Sequence, residues 1–407
     1  MKFEFAEERE RYNAKIRVVG VGGAGGNAIN NMISSKLKGV DFVVANTDCQ
    51  DLDRSMCSHR IQLGPSITMG LGAGADPGIG KLSAEESISE IRETVDEFDM
   101  VFITAGMGGG TGTGASPVIA RESKETGALT VAVVTKPFKF EGERRMRRAL
   151  EGIEDLKKEV DTLIVIPNER LKTLGAKNTT FKELIARADG VLLQAVKGIS
   201  DLIMSNGFIN LDFADVKKVM EQMGTAIMGT GKAGGQNRAS EAAQMAINSP
   251  LLEDIFINGA RGLLMNITGP SDMTMEEIDE ASSYIKEEVH PDAEIFWGVV
   301  LDDGMEDEVQ VTIIATGIDT QVYAHGQPQG KVVKIREVST EEAQEGWTVR
   351  KDGVNLDTPT WKRNGVDLEA VMNENVDEEP TGKKRFLGKF NMKNNLDYPT
   401  FLRAMDD

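Results

Sequence analysis

From about residue 16, apolar and polar positions in this 407-residue chain alternate between two patterns. Short, nearly unbroken apolar runs at 16–21, 40–46, 99–104, 128–135 and 162–166 read as strands buried on both faces. Between them, stretches at 27–35, 84–98, 115–126 and 142–160 space their apolar residues three and four apart, as helices do. Continuous apolar strands separated by helices predict an α/β fold with a parallel sheet covered on both faces. The longest helical pattern, Phe181–Met204, carries Leu184, Ile185, Ala188, Leu192, Ala195, Ile199 and Ile203 on one stripe and predicts a central helix joining two domains. Beyond it, helices at 237–248 and 274–289 and strands near 225–230, 260–268, 294–301 and 308–316 predict a smaller α/β domain. The last two strands are close enough in sequence to pair antiparallel.

Past Gly317 the periodicity dissolves. Residues 318–393 mix basic and acidic side chains with few sustained apolar periods, the composition of a flexible linker. Apolar residues return at 396–403, from Leu396 to Arg403, as in a docking peptide on a tether; a frayed terminus is the plainer alternative.

Composition narrows the function. The formal net charge of −19 argues against a generic nucleic-acid binder, which carries a basic footprint. No run approaches a membrane span, and the N-terminus lacks a signal-peptide core. Two cysteines and three scattered histidines fit neither a disulfide scaffold nor a Cys/His zinc site, so a cytoplasmic protein is expected.

Two glycine-rich segments carry candidate chemistry. The stronger is Gly106-Met107-Gly108-Gly109-Gly110-Thr111-Gly112-Thr113-Gly114, between a strand and a helix. Such a segment brings free N–H groups and the helix dipole to one point, an anion site. A Walker loop would need a lysine, and none occurs between Lys81 and Lys124. Charge neutralisation must therefore come from amides, a metal ion or distant basic residues. The weaker segment, Gly20-Val21-Gly22-Gly23-Ala24-Gly25-Gly26-Asn27, formally matches the dinucleotide fingerprint, with Asp48 as a late acidic partner. Two glycine loops on neighbouring strands instead suggest one polyphosphate gripped from two sides. A third segment, Asn210-Leu211-Asp212-Phe213-Ala214-Asp215, places two carboxylates at i and i+3. They serve either as a helix cap and first-turn charge or as groups that position water or a cation.

Together, the run 108–114, the segment 210–215 and the tail 396–403 resemble the tubulin/FtsZ family in its bacterial, division-ring branch, in which the second segment is the synergy loop. The similarity runs through about 15–317 and resumes in the tail. It implies a flexible arm at 1–14, a GTP-binding domain at 15–180, a central helix at 181–205, a second domain at 206–317, a disordered linker at 318–393 and a docking peptide at 394–407. It implies a GTPase cycling between GTP and GDP, with Mg2+ and a monovalent cation, that polymerises head to tail. Phosphates would lie against Gly22, Gly23, Ala24, Gly25, Gly26 and Asn27 and against Gly109, Gly110, Thr111 and Gly112. Glu141 and Arg145 match ribose and phosphate contacts, although Arg144, Arg145, Arg147 and Arg148 otherwise read as a solvated helix face. Asn168 and Asp189 match guanine contacts. Ile185 departs from the pattern, standing where the family commonly sets a phenylalanine against the base. Asn210, Asp212 and Asp215 would complete the active site of the next subunit. The tail would bind a membrane-bound adaptor on the inner face at the division site. Rival readings are a nicotinamide oxidoreductase using Gly20 to Gly25, a GTP-binding scaffold for plasmid segregation and a nonhydrolysing homologue.

Overall fold

The computed structural model describes residues 14–172, 179–204, 212–221, 224–252, 260–290 and 292–317. Residues 1–13 of the expected N-terminal arm, the linker and the docking peptide, together with Asn210, lie outside them.

The described strands are β1 (Ile16–Val21), β2 (Val40–Asn46), β3 (His59–Gln62), β4 (Met100–Gly106), β5 (Leu129–Lys136), β6 (Thr162–Pro167), β7 (Gly224–Gly234), β8 (Gly262–Gly269), β9 (Glu294–Leu301) and β10 (Glu308–Thr316). They form one sheet in the order β3-β2-β1-β4-β5-β6-β7-β10-β8-β9. The first six are parallel, with Ile16 opposite both Val40 and Met100. A short parallel ladder from Thr162↔Gly224 to Ile164↔Ala226 carries the sheet into its second half.

The helices of the first half are α1 (Gly22–Ser34), α2 (Cys49–Arg54), α3 (Pro65–Thr68), α4 (Pro77–Glu86), α5 (Ile88–Val95), α6 (Thr111–Glu125), α7 (Glu143–Glu159) and α8 (Asn168–Leu171). Then follow α9 (Phe181–Met204), α10 (Phe213–Glu221), α11 (Arg238–Ile247) and α12 (Met275–Glu288). Strand residues alternate between two cores, as a pleated sheet requires. Ile16 and Val18 pack with α1 and α9 on one face, and Val19 and Val21 with α5 and α6 on the other. The stripe predicted on α9 is buried from Ala188 to Ile203 and shares one core with Val131 and Ile164 of the first half and with Leu264 and Ile314 of the second. A third core lies between the second half of the sheet and α11 and α12.

Three expectations need correcting. β9 and β10 do not pair, because β8 lies between them. β8 pairs parallel with β9 and antiparallel with β10, since α12 makes the crossover that a parallel neighbour needs. The helix expected at 84–98 is two, broken at Ser87, whose hydroxyl accepts from Gly64 N–H at 3.1 Å. Both helices at the glycine-rich segments begin earlier than their apolar periodicity suggests. α1 starts at Gly22 and α6 at Thr111, so Gly22, Gly23, Gly25 and Gly26 are helical, as are Gly112 and Gly114, while Gly106, Gly108, Gly109 and Gly110 precede α6.

Candidate functional site

The carboxyl ends of β1 and β4 lie side by side, and each leads directly into a helix. Neither α1 nor α6 has a side-chain cap or an acidic residue in its first turn. Two sets of N–H groups that have no intrahelical acceptor, each at the positive end of a helix dipole, therefore open at one place. Gly22 fixes their approach. At φ 70° it is left-handed, and a Cβ there would sit 3.0 Å from Gly112 N. Gly23, Ala24 and Asn27 are exposed and Gly26, Gly109 and Thr111 half-buried, so the pair of helix ends is open to the outside at these residues, while Gly22, Gly25, Gly110 and Gly112 are buried beneath them. The structure thus brings together the residues predicted around phosphates.

Positive charge arrives from α7. Gly108, at φ 98°, packs so closely on this helix that a Cβ would lie 2.7 Å from Arg145 Cγ. Arg145 Nε pairs with Glu141 Oε2 at 3.0 Å, and Glu141 Oε1 accepts from Phe138 N–H at 2.8 Å. Arg145 is itself exposed, and this ion pair holds it at the edge of the glycine run. Arg144 and Arg147 are likewise exposed, as the solvated-face reading had it, and Arg148 is half-buried.

Asn168 opens α8 directly after β6, and Asp189 lies on α9; β6 is three strands across the sheet from β1. Asn168 is buried, and its Oδ1 has no hydrogen-bond partner. A buried acceptor without a partner is costly and marks a place where a donor belongs. Asp189 is half-buried on α9, and burial pushes its carboxyl up to about 6. An acceptor and a carboxylate held out of water are the groups that would receive the donor edge of a guanine. Ile185 is half-buried one turn before Asp189. Phe181, another turn back, is exposed and stands edge-on to Phe140 with ring centroids 6.0 Å apart.

The paired aspartates do not join this cluster. α9 is about 36 Å long at 1.5 Å per residue. It begins beyond the carboxyl end of β6 and ends with Met204 against Gly39, just before the amino end of β2. α10 follows, and its Met220 carbonyl accepts from the Thr162 hydroxyl at the amino end of β6. Asp212 and Asp215 are exposed at the start of α10. The Asp212 carbonyl accepts from Asp215 and Val216 N–H, as at a helix N-cap. Asp48, the carboxylate a nicotinamide site would use, instead caps α2 by accepting from Gln50 N–H at 2.9 Å.

Two features of the site escaped sequence reading. One is Thr47, whose hydroxyl lies 2.7 Å from that of Thr111. The other is the segment 64–76, which packs on the glycine run; Ala73 is buried beside Gly110. Its left-handed glycines at 64, 70, 72 and 74 were the available signal.

Comparison with known proteins agrees with this geometry. The model of the Tubulin/FtsZ family GTPase domain matches residues 15–176, and that of the FtsZ family C-terminal domain matches 224–319. A protein of Bartonella bacilliformis named Cell division protein FtsZ is 56% identical over 305 residues, covering 75% of this chain and 52% of its own length. This chain thus spans about half of that relative. A Wolbachia protein of the same name is 54% identical over 317 residues, 75% of this chain and 80% of its own. The solved structure of an empty FtsZ dimer from M. jannaschii superposes with a TM-score of 0.74 at 47% identity, covering 77% of this chain and 91% of that one.

Proposed function

This chain belongs to the tubulin/FtsZ family, and on that premise we propose that it binds GTP, hydrolyses it to GDP and phosphate, and polymerises head to tail into the filaments of a cell-division ring. The observation that carries the reading is the separation of two incomplete half-sites. Two uncapped helix N-termini and Arg145 gather at the carboxyl ends of the strands, while Asp212 and Asp215 stand at the opposite end. One copy cannot bring them together; a second copy stacked on the first can.

Phosphoryl transfer depends mainly on positioning and on stabilising charge. The amides of α1 and α6 hold the phosphates, Arg145 adds a cation, and Asn168 and Asp189 select guanine. Adenine offers no paired N1–H and exocyclic amine to a carboxylate. Asp212 and Asp215 of the incoming copy orient the attacking water. As exposed hard oxygen donors they also suit Mg2+, which supplies charge neutralisation at the phosphates when bound. A monovalent cation is a further part of this reading. Exposed apolar side chains around the phosphate face support the contact. Met69 is 79% exposed, Leu71 81%, Phe140 58% and Phe181 62%. A heterologous contact of this kind does not close, so it propagates as a filament. The domain division at about 180 and 206, the tether at 318–393 and docking of 394–407 on a membrane-bound adaptor at the inner face of the division site complete the proposal. No described helix is long and apolar enough to cross a membrane.

The test is phosphate release from GTP per mole of protein across a range of protein concentrations. Specific activity should be negligible at low concentration, rise above a threshold, and vanish in Asp212→Ala while GTP binding persists. Constant specific activity at every concentration would refute the shared site.

A further inference from the structure

Thr47 follows β2 directly and belongs to none of the segments expected to contact a nucleotide. Its side chain is fully buried. Its hydroxyl lies 2.7 Å from Thr111 Oγ1, at the first residue of α6. Its carbonyl accepts from Gly72 N–H at 3.1 Å and from the Thr68 hydroxyl at 3.2 Å, and Thr68 shares its proton with the Gly64 carbonyl at 3.1 Å. One residue thus fastens the 64–72 segment, which exposes Ile67, Met69 and Leu71, to the start of α6.

The strand order says which phosphate this concerns. Asn168 and Asp189 stand at the β6 side, α6 and α1 follow β4 and β1, and Thr47 follows β2 on the far side of β1. A nucleotide with its base at β6 and its phosphates over β4 and β1 turns its outermost phosphate toward β2. A threonine hydroxyl has one proton to give and can accept in return. When Thr47 donates to Thr111 Oγ1, the Thr111 proton is free to point at an anion, and the donated bond polarises it further.

We propose that Thr47 is a positioning residue for the terminal phosphate: it orients the Thr111 hydroxyl so that the site distinguishes GTP from GDP. The proposal rests on the reading of the site as a GTP site. GDP leaves Thr111 without that partner, so only the triphosphate depends on Thr47. Because the Thr47 carbonyl also holds the 64–72 segment, the same residue links recognition of the terminal phosphate to the placement of Met69 and Leu71.

The experiment measures binding of GDP and of a nonhydrolysable GTP analogue to the full chain, at protein concentrations below the assembly threshold. It compares wild type, Thr47→Val, Thr47→Ser, Thr111→Val and the double valine variant. Thr47→Val should weaken the analogue by about 10-fold, the scale of one hydrogen bond to a charged group, with GDP changed less than about 2-fold. Thr47→Ser should restore the preference. The double variant should lose little more than Thr111→Val alone, since the two hydroxyls act as one unit. Equal losses for both nucleotides, an unchanged preference in Thr47→Val, failure of the serine to restore it, or additive losses in the double variant would each overturn the proposal. If Thr47→Val does not fold, the serine and Thr111 variants decide alone: Thr47→Ser must keep the wild-type preference and Thr111→Val must lose it. Wild-type protein that binds neither nucleotide would overturn the GTP reading itself. Wild-type preference retained in Thr47→Val would overturn only the role of Thr47.

Discussion

Replacing Asn168 by leucine should make the empty protein more stable and the nucleotide complex weaker, two effects of opposite sign from one side chain. In the empty protein Asn168 is 8% exposed with its Oδ1 unpartnered. Leaving such an acceptor buried costs about 1–3 kcal/mol, and a leucine of similar size removes that cost. Taking the low end, a gain of about 1 kcal/mol raises Tm by about 2 °C for a chain of this size. In the complex the same substitution deletes an acceptor for the base, weakening binding by about 10-fold, or about 1.4 kcal/mol. GDP at about 100 times its Kd stabilises wild type by about 2.7 kcal/mol, and at the same concentration stabilises the variant by only about 1.4 kcal/mol. Thermal melts with and without GDP, at one protein concentration, read both numbers. A lower Tm for the empty variant would mean that Asn168 Oδ1 is already satisfied. An undiminished GDP-induced shift would mean that the nucleotide never reaches it.

Asp189 gives a pH signature. Burial raises its folded pKa to about 6 from an ordinary 3.8. The empty fold therefore holds this proton more tightly than the unfolded chain does, so ionised Asp189 opposes folding above about pH 6 and the penalty fades as pH falls toward 4. If Asp189 receives the guanine as proposed, the carboxylate must be ionised, so GTP affinity should fall as pH drops through about 6, and Asp189→Asn should flatten that profile and erode preference for GTP over ATP; an unchanged profile in the variant would clear Asp189 of the role. In the second half, Arg238 is 7% exposed and binds Glu277, Asp272 and Asp307 at 2.7, 2.9 and 3.0 Å. Arg238→Met leaves Glu277 half-buried without its cation and should cost roughly 2–3 kcal/mol, less than a fully buried pair because the two aspartates are exposed. Thermal unfolding should show the loss with GDP affinity unchanged, and an unshifted Tm would refute it.

How legible these features were from sequence depended on the physical signal each one left. β1, β2, β4 and β5 were readable because strands buried on both faces must be apolar throughout. β3 was missed because His59-Arg60-Ile61-Gln62 is a four-residue edge strand with only Ile61 buried. The starts of α1 and α6 were hidden because glycine has poor helix propensity, yet here it is required by the close approach of the two helix ends. The partnering of β9 could not be read from proximity in sequence, since connection handedness and not chain distance decides it. The phosphate-side residues declared themselves by composition, and Arg145 by the family resemblance. The empty acceptor on Asn168, the burial of Asp189 and the hydroxyl pair of Thr47 and Thr111 arise only when distant segments meet, so no local pattern announces them.

The buried stripe of α9 belongs to neither half of the sheet alone. Inheritance follows from this. A domain that can be lifted out and spliced elsewhere keeps its apolar surface to itself, whereas here a cut on either side of α9 strips one half of its covering and exposes it to water. Exchanging one half for that of a relative would have to keep the residues along this helix matched to both sides.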